Sequence, residues 1–198
     1  MVFSTFLTFM NQPLNTLIME IKNNIFISCS FDPRLKRGIG SFLSLTNEEC
    51  LKYSPMKKSR LQFITQEFLE TTPVCLELET AIWVLDQIDD QLKTDSPIIY
   101  TDLKGVGGLL PKRERLEKTD YTGVETGKAV TNANLFEEFY QHHDRLEFSV
   151  FYLSEDLEET PETKTVLQLM NAVHSHSCDN LSTQIKTEST EKIAGKWF

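Results

Sequence analysis

Two carboxylates in this 198-residue sequence stand where side chains do chemistry. Asp102 ends the short apolar run Pro97-Ile-Ile-Tyr-Thr-Asp102, and open α/β sheets present ligand groups at the carboxyl ends of their strands. Glu77 lies 25 residues earlier, in the first turn of a segment with helical periodicity. A carboxylate at a strand end beside one from a neighbouring helix begins a divalent-metal site, because hard cations such as Mg2+ or Mn2+ take several oxygen ligands. The same two residues also have a purely structural use. An acid in a first turn complements the helix dipole, and an Asp after a strand caps the next element. The run His174-Ser-His-Ser-Cys178 offers metal-ligand types, but residues two apart on a helix point in different directions, so convergence on one ion is not expected. His142 and His143 are expected on a solvated helix surface. Gly105-Val-Gly-Gly108 has neither the ending nor the spacing of a phosphate loop.

The elements that must position these residues follow from periodicity. Asn24–Ser30 and Gly38–Leu45 are rich in strand formers, and the turn-prone basic stretch Phe31–Arg37 between them predicts a hairpin. Leu61–Thr65 is the expected third strand. From Pro73 to Leu92 the period changes: Leu78, Ala81, Ile82, Leu85 and Ile88 form one helical face, with Thr71 or Thr72 as cap and Pro73 suited to the first turn. A strand over 97–102 follows, then a short helix and a charged one to Lys118, and a loop over 121–130. A helix capped by Asn132 or Asn134 runs to about Leu146, and Phe148–Leu153 is a fifth strand. Ser154–Thr163 holds five acids and a proline and reads as an exposed loop. The last helix is expected from Lys164 to about Leu181. The order predicts an α/β domain: a mixed five-stranded sheet, an antiparallel meander followed by βα units, with helices on its faces. The expected organisation is an N-terminal extension over 1–23, one domain over 24–182 and a mobile tail over 183–198.

Composition narrows the function classes. A formal net charge of −9, with 25% charged and 40% hydrophobic residues, excludes wholesale disorder and argues against a broad basic face for nucleic acid. Local basic clusters survive within that balance: Arg34, Lys36 and Arg37; Lys57, Lys58 and Arg60; and Lys104, Lys112, Arg113, Arg115 and Lys118. Cys29, Cys50, Cys75 and Cys178 form no CxxC pair, which fits reduced thiols and a cytoplasmic location. The apolar start of the chain is too short to span a bilayer and lacks the basic flank of a secretory signal, so no membrane role is expected.

Ile25-Phe-Ile-Ser-Cys-Ser30, the basic turn with Gly38-Ile-Gly40, Glu77-Leu-Glu-Thr-Ala-Ile-Trp-Val-Leu85 and Ile99-Tyr-Thr-Asp102 together resemble the ribonuclease H-like family over residues 24–153. The resemblance implies a two-metal nuclease in which the first strand, the long helix, the fourth strand and the last helix each supply an acid. Glu77 then matches the helix acid and Asp102 the fourth-strand acid, and both would hold Mg2+ or Mn2+. At the first-strand position this chain has Ser28, a poor ligand for such ions. Asp32 shares the parity of Ser28 but lies ~13 Å further along a strand, so it replaces Ser28 only if the strand is bulged. In the last helix Asp179 is the first stand-in for the fourth acid and His174 the second.

These departures predict a ribonuclease H-like protein with weak or lost phosphodiester hydrolysis. It would bind an RNA–DNA hybrid or a structured RNA through Arg34, Lys36, Arg37, Lys104, Lys112 and Arg113. Two alternatives stay open: a protein-interaction module that contacts its partner through the acidic 154–162 loop, and an active nuclease with substitute ligands.

Overall fold

β-branched and aromatic residues of the first strand are buried on both faces, and the chain builds outward from it. The computed structural model describes residues 23–53, 61–89, 96–123, 127–154, 157–160 and 163–194, with side chains to residue 187. Its strands are β1 (Asn23–Asp32), β2 (Arg37–Thr46), β3 (Ile64–Phe68), β4 (Ile98–Thr101) and β5 (Ser149–Tyr152). Its helices are α1 (Asn47–Leu51), α2 (Pro73–Asp89), α3 (Lys104–Gly107), α4 (Arg113–Lys118), α5 (Ala133–Leu146) and α6 (Lys164–Ala194). The sheet order is β3-β2-β1-β4-β5. The first three strands pair antiparallel, whereas β1–β4 and β4–β5 are parallel. This is the mixed five-stranded α/β sheet that the order of elements predicts.

Alternation along β1 divides the core in two. Ile25 and Ile27 face α2 and α5, meeting Leu78, Ala81, Leu85 and Phe139. Phe26 faces the other way with Leu43 and Tyr100, against Val166, Leu169 and Val173 of α6. Strands covered on both sides need continuous apolar sequence, which is what IFI and PII supply. Fully burying each such side chain contributes about 2 kcal/mol.

Two local devices bring α2 close to the sheet. Thr72 caps it, its Oγ1 accepting the Cys75 N–H at 3.3 Å. Gly38 and Gly40 lie beneath it: a Cβ on Gly38 would run into Leu76, and one on Gly40 would sit 2.6 Å from Thr80 Oγ1. The GIG sequence therefore sets the helix–sheet distance, and through it the position of Glu77.

Three expectations change. β3 begins at Ile64 rather than Leu61, because Leu61 and Phe63 pack into the α6-side core before the chain joins the sheet. The short α1 was not expected, although Thr46 and Glu49 form a capping box at its start. The last helix continues to Ala194 instead of ending near Leu181, so residues 183–194 have helical backbone; no Gly or Pro interrupts it after Lys164. The N-terminal run over 1–22 and the cluster Lys57, Lys58 and Arg60 lie outside the described residues. No helix among the described residues is long and apolar enough to cross a membrane.

Candidate nucleic-acid interface at the carboxyl end of the sheet

β1 and β4 run parallel, and their last pair, Ile27 with Thr101, leaves Ser28 and Asp102 next in line at the same sheet edge. Ser28 is fully buried on the α6 side. Its Oγ donates to Asp102 Oδ2 at 2.9 Å and lies 3.0 Å from His174 Nδ1. The same imidazole nitrogen is 3.1 Å from Asp102 Oδ2. Proton accounting fixes the ring. A hydroxyl has one hydrogen, which Ser28 gives to Asp102, so both neighbours of Nδ1 are acceptors and Nδ1 carries the proton. The bond to Asp102 raises the His174 pKa above the ordinary imidazole value, against the opposing effect of partial burial.

Glu77 enters from one turn inside α2. Its Oε2 accepts the Gly105 N–H at 2.5 Å, and a Cβ at residue 105 would stand 2.6 Å from the same oxygen. Gly105 is what allows the carboxylate to reach the backbone. Burial pushes the Glu77 carboxyl up, the Gly105 N–H pulls it down, and the Asp102 charge raises it again. Glu77, Asp102, His174, Lys104 and Glu159 line one cleft of about 870 Å3, walled by Leu76, Tyr152 and Leu157.

The structure thus brings Glu77, Asp102 and His174 together and leaves Asp179 out. Five residues beyond His174, Asp179 is turned roughly 140° around the helix. It is exposed, does not line the cleft, and its charge acts instead on His176, whose ring stacks on Phe63 at 4.5 Å. Asp32 does not replace Ser28 either: β1 pairs with β2 without a bulge, and Asp32 Oδ1 accepts the N–H groups of Arg34 and Leu35 to close the turn. The sequence offers His174 as the second stand-in for the fourth acid, but its pairing with Ser28, 146 residues away, leaves no local signal.

The basic residues divide. Arg37 pairs with Glu67 at 3.0 Å. Arg113 forks onto both oxygens of Asp144 at 2.5 and 2.7 Å, binds Glu117 at 2.6 Å and lies 5.2 Å over the Tyr140 ring. These two arginines hold the fold together. Arg34, Lys36, Lys104 and Lys112 are exposed, and Lys104 borders the cleft.

The sequence matches no protein-family model and no curated protein. Solved structures do match. A foamy viral protease–reverse transcriptase in complex with RNA/DNA hybrid aligns with a TM-score of 0.60 at 9% identity, over 82% of this chain and 20% of that one. The fold is ribonuclease H-like. The foamy viral protease–reverse transcriptase in complex with dsDNA aligns with a TM-score of 0.54 at 8% identity, over 80% of this chain and 97% of that one. Native Prototype Foamy Virus protease–reverse transcriptase gives 0.53 at 9% identity, over 82% and 21%. The chain therefore spans about a fifth of the length of two of these chains and nearly all of the third.

A ribonuclease H-like site holding two divalent ions needs carboxylate oxygens from several elements. Glu77 and Asp102 meet part of that set, both lining the cleft. Ser28 supplies a hydroxyl where the resemblance implies an acid, and Asp102 Oδ2 is taken up by Ser28 and His174, whereas Asp102 Oδ1 is buried without a hydrogen-bond partner among the described residues. Among the described residues, the one trio of His, Cys, Asp or Glu ligand atoms within 4.8 Å of one another lies elsewhere, at Asp86, Glu138 and His142. There His142 is buried between α2 and α5, contrary to the expected solvated surface, because it continues the inward face of Phe139. Its Nδ1 lies 2.7 Å from Arg145, which can only donate. The ring proton is therefore on Nε2, 3.4 Å from Asp86 Oδ1, where an ion would have to displace it.

Proposed function

We propose that this ribonuclease H-like protein binds nucleic acid across the carboxyl end of β1 and β4 and has lost two-metal phosphodiester hydrolysis. The observation that carries the reading is the buried Ser28 hydroxyl, bonded to Asp102 at the position where the resemblance calls for an acid. With that charge absent, part of the electrostatic stabilisation of a phosphoryl-transfer transition state is missing, which raises the barrier by several kcal/mol. Binding does not need it. Arg34 and Lys36 on the β1–β2 turn, with Lys104 and Lys112 after β4, supply phosphate contacts on an otherwise acidic protein. The ligand class is an RNA–DNA hybrid or a structured RNA.

The test is fluorescence anisotropy with a labelled RNA–DNA hybrid and a structured RNA, without divalent ions. Each phosphate contact contributes a salt slope of about −0.9, so four contacts predict a slope near −3 to −4. The double substitution Lys104→Ala with Lys112→Ala should reduce that slope by about two. A second reading, a protein-interaction module, is favoured by Glu159 lining the cleft and by the ion pairs that occupy Arg37 and Arg113. Absence of binding at low salt, together with a protein partner lost on charge reversal at Glu158 and Glu159, would replace the first reading with the second.

A further inference from the structure

The far side of the His174 ring meets a second chemical group that nucleic-acid binding does not use. Cys178 Sγ lies 3.6 Å from His174 Nε2, one helical turn along α6. Because Nδ1 carries the ring proton, Nε2 of the neutral ring presents a lone pair to the thiol. The order of groups is thiol, imidazole, carboxylate: a nucleophile beside a base, and the base oriented by a third group.

The other three cysteines lack this arrangement. Cys29 is pushed far above the ordinary thiol value by burial and by the charges of Glu77, Asp102 and Cys178. Cys50 is buried and pushed up to about 12. Cys75 donates its Sγ to Asn132 Oδ1 at 3.2 Å. Cys178 is half-exposed and is the cysteine that faces a base among the described residues.

We propose that Cys178 is a reactive thiol that exchanges with small disulfides, with His174 as its base and Asp102 as the positioning residue. The step balances without a further oxidant. The Cys178 proton passes to His174 Nε2, and the thiolate attacks one sulfur of the disulfide. A new S–S bond forms as the old one breaks, and the departing thiolate takes the proton back from Nε2. Asp102 and Ser28 hold the imidazolium in place throughout. The inference does not depend on the nucleic-acid reading, since it uses the opposite nitrogen of the same ring.

The experiment treats the folded full chain with oxidised glutathione, or separately with iodoacetamide, and follows each cysteine by peptide mass spectrometry. At pH 7, Cys178 should react first, on the order of tenfold faster than Cys75. His174→Gln should slow Cys178 about tenfold and move the steep rise of its rate to higher pH, with an unchanged circular dichroism spectrum. Asp102→Asn should give a smaller slowing, because the base remains but its orientation is lost. Cys178→Ser should abolish the first adduct. Equal rates for Cys178 and Cys75 in the unmodified protein would overturn the proposal without recourse to any variant. So would a folded His174→Gln protein whose Cys178 reacts as before.

Discussion

His174 and His142 each pair with a carboxylate, on opposite faces of the same sheet, and their surroundings demand opposite tautomers. At His174 the partners of Nδ1 are acceptors, which places the proton on Nδ1 and leaves Nε2 bare toward Cys178. At His142 the partner of Nδ1 is the Arg145 guanidinium, a donor, which places the proton on Nε2 toward Asp86. The burial differs as well: the His142 side chain is 5% exposed and that of His174 is 52%. One histidine is therefore a packing element with a satisfied proton. The other is an accessible base. Ligand-type residues gathered in space do not by themselves make a metal site or a reactive site; the donor or acceptor character of the next shell decides which one forms.

The largest effect that would break this comparison is on stability. His142→Ala should cost about 3 kcal/mol in a denaturant melt, because it opens a cavity between α2 and α5 and removes an acceptor from Arg145. A cost under ~1 kcal/mol would mean that the ring is not the packing element described. His174→Ala should cost less, about 0.5–1 kcal/mol at pH 5.5, as expected for a half-exposed pair. That smaller cost carries a pH signature. The folded protein holds the His174 proton more tightly than the unfolded chain does. The contribution is therefore complete below about pH 6.5 and fades as pH rises through the folded pKa. Stability curves of the native and His174→Ala proteins should converge at alkaline pH. Asp102→Asn should return the His174 imidazole toward its ordinary titration, read directly by NMR, and an unmoved titration would show that Asp102 is not its cause.

Smaller effects sharpen a second contrast, between fold-holding and exposed basic residues. Arg113→Lys loses the fork onto Asp144 and should leave hybrid affinity unchanged, whereas Lys104→Ala should weaken it a few-fold at low salt. Equal losses in anisotropy titrations would return Arg113 to the nucleic-acid surface.

Much of the architecture was legible because period and burial coincide in this chain. The continuous apolar runs IFI and PII announce strands covered on both sides, and Leu78, Ala81, Ile82, Leu85 and Ile88 announce the helix that carries Glu77. Glu77 and Asp102 stand out by position along those elements. His142 was also readable in retrospect, since Leu135, Phe136, Phe139 and Tyr140 point the same face of α5 inward three residues later. The pairing of His174 with Ser28 was not. It depends on how α6 crosses β1, a long-range packing decision that leaves no local periodic trace. Asp179 carries the charge that the resemblance asks for, but the helical angle turns it away from the sheet. The pairs of Arg37 with Glu67 and of Arg113 with Asp144 were hidden for the same reason as that of His174, those partners lying on other elements.

With Ser28 where the resemblance implies an acid, the proposed site lacks two-metal hydrolysis. Cleavage of an RNA–DNA hybrid in Mg2+ and in Mn2+, with Asp102→Asn measured in parallel, tests this loss most directly. No turnover above that of Asp102→Asn is expected. Robust cleavage that Asp102→Asn abolishes would contradict it.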